Sequence, residues 1–224
     1  MRKNSQTLTT QSIPALIKQL AIPASIGMFF NTMYNVVDTF YAGLISTQAI
    51  SALTLSFMIF FLIIGFGYGF SSAITALLGN ALGKKRYKLA SIYAHKGLIF
   101  VPLIGLTLSI IGYFFAPSLF MFLGAKDEYL QISLDYINPI LFGAIFFMFN
   151  FSLNSILIAT GDTKTYRNSL IFGFFANLAL NPLFMYGFLF VPAMGIKGIA
   201  FATVLIQIIN MFYLFYKVLQ TKLI

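Results

Sequence analysis

Apolar residues fill six long stretches of this chain, and polar punctuation falls between them at regular intervals. The stretches lie near residues 20–44, 49–80, 91–117, 132–160, 167–190 and 197–217. Each exceeds the roughly 20 residues that an α-helix needs to cross a hydrocarbon core. The second falls inside a run from Thr39 to Gly83 that holds no Asp, Glu, Lys or Arg. The pattern predicts an all-α integral membrane protein in which six transmembrane helices form a single lobe over residues 1–224.

Ahead of the first span, Ile13, Leu16, Ile17 and Leu20 recur at helical spacing beside Lys18 and Gln19. That stripe predicts an interfacial N-terminal segment over residues 1–22, with a short surface helix and with Pro23 turning the chain into the bilayer. The same residues lack a continuous apolar core before a small-residue cleavage site, so no removable signal peptide is expected. GKKRYK at 83–88 and TGDTKTYR at 160–167 are the polar connections on one side. On the other side the connections fall near Gly43–Ala49, Gly124–Leu130 and Val191–Gly195, where Pro192 and Gly195 favour turns.

Composition agrees with a membrane protein. Hydrophobic residues make up 59% of the chain and charged residues 8%, against roughly 25% charged in a soluble domain. The net charge of +9 would suit nucleic acid if it were spread over one surface. Instead, twelve of the fourteen basic residues fall on one side of the six spans, leaving only Lys126 and Lys197 on the other. Basic residues beside membrane helices mark the cytoplasmic side, so both termini are expected in the cytoplasm, the bilayer is the expected partner, and nucleic acid is not. With no cysteine, disulfides and thiolate metal sites are excluded. His95, beside Lys96 after a basic loop, is explained by a helix-end position. Without Cys, paired intramembrane carboxylates or an HExxH motif, enzymatic catalysis is not expected.

The candidate chemistry centres on Asp38. A carboxylate within a spanning helix costs about 2.5–3.5 kcal/mol on insertion scales and calls for a cation, a proton or a partner. Asn31, Asn35 and Asp38 stand at i, i+4 and i+7 with Tyr34 beside them, a polar stripe on one face of the first span. A position at the outer helix end, in contact with water, is the alternative for Asp38. On the fifth span Asn177 and Asn181 are four apart, and Pro182 frees the carbonyl of Leu178. Amide oxygens and a freed carbonyl suit a small cation. Interhelical hydrogen bonding explains the asparagines as well. Asn150 and Asn154 repeat the four-residue spacing on the fourth span, and Thr203 and Gln207 add polar groups on the sixth, so all four could line an internal cavity. Gly65, Gly67 and Gly69, with Gly79 and Gly83, are expected to let helices pack closely.

The segments LAIPASIGMFFNTMYNVVDTFYAG at 20–43, ATGDTKTYRNSLIFGFFANLALNPLFMYG at 159–187 and GIKGIAFATV at 195–204 resemble the first half of the multidrug and toxic compound extrusion (MATE) transporters. The resemblance implies a cation-coupled antiporter that exports organic, often cationic, compounds across a plasma (inner) membrane, with a proton or sodium as coupling ion and no further cofactor. It assigns cation coupling to Asp38, Asn177, Asn181 and Thr203, and extends less firmly to Asn154. Many relatives carry Asp where this chain has Asn181, which leaves one fewer charge here. Family members have twelve spans in two lobes, so the resemblance implies a second six-helix lobe, or a second copy, as partner. Two other readings stand beside it: a lipid-linked saccharide flippase of the same superfamily, and a non-transporting membrane interaction partner.

Overall fold

The computed structural model describes residues 12–224. Arg2, Lys3 and the first part of the expected interfacial segment lie outside them. Seven helices follow one another: α1 (Ile13–Ile45), α2 (Thr47–Gly83), α3 (Tyr87–Phe122), α4 (Asp127–Phe142), α5 (Ala144–Ala159), α6 (Lys164–Tyr186) and α7 (Ile196–Leu219). Five are long and apolar enough to cross a membrane, and α4 with α5 make a sixth span bent by 45°.

The six expected spans are therefore present, but the fourth is broken rather than continuous. Pro139 withholds its donor from the carbonyl of Asp135, which loosens the helix. At Gly143 the break meets α7, where an added Cβ would lie 2.6 Å from Cγ2 of Val204. Hydropathy reads straight through this break because both halves are apolar.

Two helix ends also differ from expectation. No break separates residues 13–22 from the first span, since α1 runs through Pro23 without interruption. Pro23 removes one hydrogen bond, to the carbonyl of Gln19, a loss that membrane helices tolerate. At the far end, α6 stops at Tyr186 rather than near 190. Gly187 takes a φ of +77° and starts a tight hairpin in which Phe188 and Val191 exchange backbone bonds at 3.0 Å. The amides of Met194 and Gly195 then reach the carbonyls of Phe184 and Met185, satisfying the end of α6.

These short connections fix which helices are neighbours. Ser46 alone separates α1 from α2, and its Oγ accepts the amide of Ala49 at 3.0 Å. α1 lies along α6 and α6 along α7. α7 packs on α4 and α5, which α2 and α3 cover from the other side. The bent fourth span is thus central, while α1 leans on the bundle through α6.

Of the glycines expected to pack helices together, only Gly67 does so, with the Phe151 ring pressed onto its Cα. Gly65, Gly69, Gly79 and Gly83 have open space where a Cβ would point. Helical geometry accounts for the contrast: Gly65 and Gly69 lie two residues either side of Gly67, about 200° around the axis, and face away from the lobe. Gly67→Val is therefore expected to destabilise the lobe by about 1–3 kcal/mol through overpacking. Gly69→Ala is expected to be neutral or to stabilise by up to about 1 kcal/mol. Thermal unfolding of the purified variants in detergent checks both, and equal melting of the two would contradict the assignment of faces.

Candidate functional site

Three helices converge on the carboxylate of Asp38. It stands on α1 seven residues before the helix end, yet is only 3% exposed, which removes the alternative of a water-facing helix end. Nδ2 of Asn177 and Nδ2 of Asn181, both on α6, each donate to its Oδ1 at 2.8 Å. Oγ1 of Thr203, on α7, donates to Oδ2 at 3.3 Å. The two amides also bond each other, with Asn181 Nδ2 donating to Asn177 Oδ1 at 3.2 Å. The four-residue spacing on α6 puts both asparagines on one face, and the face is turned toward α1. Gly173, one turn before Asn177, is where Tyr34 of α1 and Ile206 and Asn210 of α7 come close to α6.

No Lys, Arg or His pairs with this carboxylate among the described residues. Among the described residues the one ion pair joins Lys197 to Asp135 at 3.1 Å. Asp38 is instead held by neutral donors, the arrangement a buried anion needs when no counter-charge is present. Its two oxygens are unequally satisfied: Oδ1 accepts two short bonds, while Oδ2 accepts one long one. Oδ2 is the oxygen with accepting capacity to spare.

Asp38 lines a cavity of about 240 Å³ that extends along α6 as far as Tyr166 and Ser169. Asn31, Tyr34, Asn35, Asn150, Thr203 and Gln207 line it. Asn150 Nδ2 donates to both the backbone oxygen and Oε1 of Gln207 at 2.9 Å, tying α5 to α7 across the wall. Tyr34 Oη, Asn150 Oδ1 and Ser169 Oγ are buried there without a partner among the described residues. Asn154 departs from expectation: it is buried but does not line the cavity, because four residues along the short α5 carry it past the wall.

Several lining groups escaped the sequence reading, notably Tyr68, Tyr136, Tyr166, Ser169 and Asn210. Asn210 had a readable signal. Thr203, Gln207 and Asn210 stand at i, i+4 and i+7, the spacing of Asn31, Asn35 and Asp38 on α1. The tyrosines had none, since aromatic residues are scattered over lipid-facing and inward positions alike.

The carbonyl of Leu178, freed by Pro182, is not available to a cation. Tyr41 Oη donates to it at 3.1 Å. Tyr41 stands one turn beyond Asp38 on α1, so this bond and the Asp38 cluster fasten α1 to α6 at successive turns.

Comparison with known proteins places this geometry. The MatE family model matches residues 23–183, well over half the chain. The chain belongs to the MatE family. It is 30% identical to the probable multidrug resistance protein YoeA of Bacillus subtilis over 212 residues, covering 92% of this chain and 46% of that protein. It is 26% identical over 201 residues to the FAD transporter of Shewanella oneidensis, covering 90% of this chain and 44% of that one. A crystal structure of MATE in the bent conformation superposes with a TM-score of 0.88 at 28% identity, covering 96% of this chain and 47% of that one. The chain spans about half the length of the relatives it matches, and its fold corresponds to one half of a MATE transporter. Membership of a transporter family, together with the apolar helices, makes it a multi-pass membrane protein and not an enzyme.

Tyr41→Phe is expected to lower the stability of this MatE lobe by about 1 kcal/mol, the net worth of one hydrogen bond, with the carbonyl of Leu178 left unpaired. Thermal or denaturant unfolding in detergent measures it. An unchanged midpoint would mean that the bond does not fasten α1 to α6.

Proposed function

We propose that this chain is the N-terminal lobe of a cation-coupled exporter of organic compounds, with Asp38 as the group that takes the coupling proton or sodium. The observation that carries the reading is a buried carboxylate held by neutral donors from two other helices and, among the described residues, paired with no basic side chain. A proton arriving at Oδ2 cancels the charge and turns that oxygen from acceptor to donor. The Thr203 hydroxyl must then turn to accept from Oδ2 rather than donate to it, so the contact between α1 and α7 is rearranged. Sodium would be held differently. Asp38 and Thr203 Oγ1 supply oxygens directly, and either asparagine supplies Oδ1 once its amide turns over. In both cases the ion changes how α1 sits against α6 and α7, which is how a local binding event reaches the shape of the lobe.

The electrochemical gradient makes one ion worthwhile. A charge moving down 100 mV supplies about 2.3 kcal/mol, enough for roughly fifty-fold accumulation of substrate. The lobe would sit in the plasma (inner) membrane with both termini cytoplasmic and work beside a second six-helix lobe or a second copy. The cavity wall holds one carboxylate and no Lys or Arg, which favours neutral or cationic substrates over lipid-linked saccharide phosphates or a dinucleotide. The relatives described as multidrug resistance proteins support export rather than a purely structural partner role.

Vesicles containing the chain, preloaded with a fluorescent organic cation, should show gradient-driven efflux that Asp38→Asn abolishes. Efflux undiminished in that variant would remove Asp38 from coupling. If neither form transports, the same pair joined to a second lobe is compared. Ion binding can be read without transport: sodium or acidification should raise the melting temperature of the chain but not of Asp38→Asn. Asn181→Asp supplies the charge that relatives carry there, and it is expected to strengthen the response to sodium. A weaker response would argue against cation ligation at this position.

A further inference from the structure

The two ends of the lobe differ sharply in charge. Among the described residues, every Lys and Arg except Lys126 and Lys197 lies toward the end that carries the α2–α3 and α5–α6 connections. The carboxylate at that end, Asp162, is occupied by the amide and hydroxyl of Thr165. None of these cations lies within ion-pair distance of a carboxylate in the described residues. Side preference during insertion explains the sign of this end but not the arrangement within it.

That arrangement is concentrated and strained at one corner. Lys84, Lys85, Arg86 and Lys88 fall within five residues at the α2–α3 turn, and all are exposed. The turn wraps the end of α2, with Arg86 N bonding to Ala81 O at 2.8 Å and Lys85 N to Leu82 O at 2.9 Å. This closure puts Lys85 at a φ of +57°, in the left-handed region where glycine is the ordinary residue and a side chain is strained. Lys222, after α7, repeats the feature with a φ of +55°. Its neighbour Leu223 belongs to the same buried cluster as Leu78, Ala81, Ala90 and Ala94, which fills this end of the lobe. Two lysines in a strained backbone conformation thus stand at the same end of the lobe, with exposed apolar side chains, Tyr87 and Leu219, close to them in the chain.

We propose that this corner binds the phosphate headgroup of an anionic phospholipid, whose acyl chains lie along the adjoining apolar helix surface. The cations supply charge complementarity to the phosphate at an anionic membrane surface. The neighbouring helix flank supplies the apolar surface that a free anion would not use. The inference does not depend on the transport reading, because it concerns residues outside the Asp38 site.

Melting of the chain in detergent micelles is measured with added phosphatidylglycerol, phosphatidylcholine or inorganic phosphate. Phosphatidylglycerol should raise the midpoint, and the other two should not. The variant carrying Lys84→Gln, Lys85→Gln, Arg86→Gln and Lys88→Gln should bind phosphatidylglycerol about tenfold more weakly or worse. Should that variant fold poorly, Lys85→Gly gives a separate test with opposite signs. Relief of the left-handed strain should raise its melting temperature without lipid, while its response to phosphatidylglycerol falls. A response equal for phosphatidylcholine, one reproduced by inorganic phosphate, or one retained in both variants overturns the proposal.

Discussion

A single carboxylate in a low-dielectric setting organises this lobe. Asp38 can remain charged at 3% exposure only if enough dipoles face it, and those dipoles come from α6 and α7 rather than from its own helix. The helices that supply them must hold their registers closely, since a shift of one residue moves a side chain about 100° around the axis. Many other features of the fold serve that requirement. Tyr41 secures α1 to α6 one turn beyond the site, and the hairpin after Gly187 joins α6 to α7 with little slack.

The arrangement also sets α1 apart from the other helices. It leans mainly on α6, and much of that attachment is polar: a carboxylate gripped by two amides, and a tyrosine hydroxyl on a backbone carbonyl. Apolar packing is strongest elsewhere, around the bent fourth span that α2, α3 and α7 surround. Polar contacts can be exchanged when a proton or ion arrives, whereas a close-packed apolar core has few alternative states. The division places a rigid centre beside a more adjustable first helix.

Much of this was legible in the sequence. The six spans followed from runs of apolar residues. Asp38 followed from the rarity of intramembrane charge and the asparagine pair from amides at helical spacing, while their grouping with Thr203 followed from the family resemblance. What escaped was information that resides in contacts between helices. Pro139 and Gly143 were visible, but nothing local said that Val204 would fill the space that makes Gly143 a break. The carbonyl freed by Pro182 looked available because Tyr41, which occupies it, is 137 residues distant. Asn154 has the same spacing credentials as Asn150, and only its place one turn further along α5 separates them. The glycines failed for a related reason: a run with glycine at every second position places alternate members on opposite sides of a helix, so only one could meet the core.

The unequal treatment of the two carboxylate oxygens bears on which events the site can sense. Oδ1 is bound to α6 by two short bonds, which would be costly to remove together. Oδ2 is bound to α7 by one long bond, and its loss is inexpensive by comparison. On the proposed reading, a proton arriving at Oδ2 acts first on the attachment to α7, the weaker of the two. Because Thr203 adjoins Val204, which fills the notch at Gly143, any adjustment of α7 meets the bend in the fourth span directly. The path from a change of charge on α1 to the centre of the lobe then needs only one helix in between.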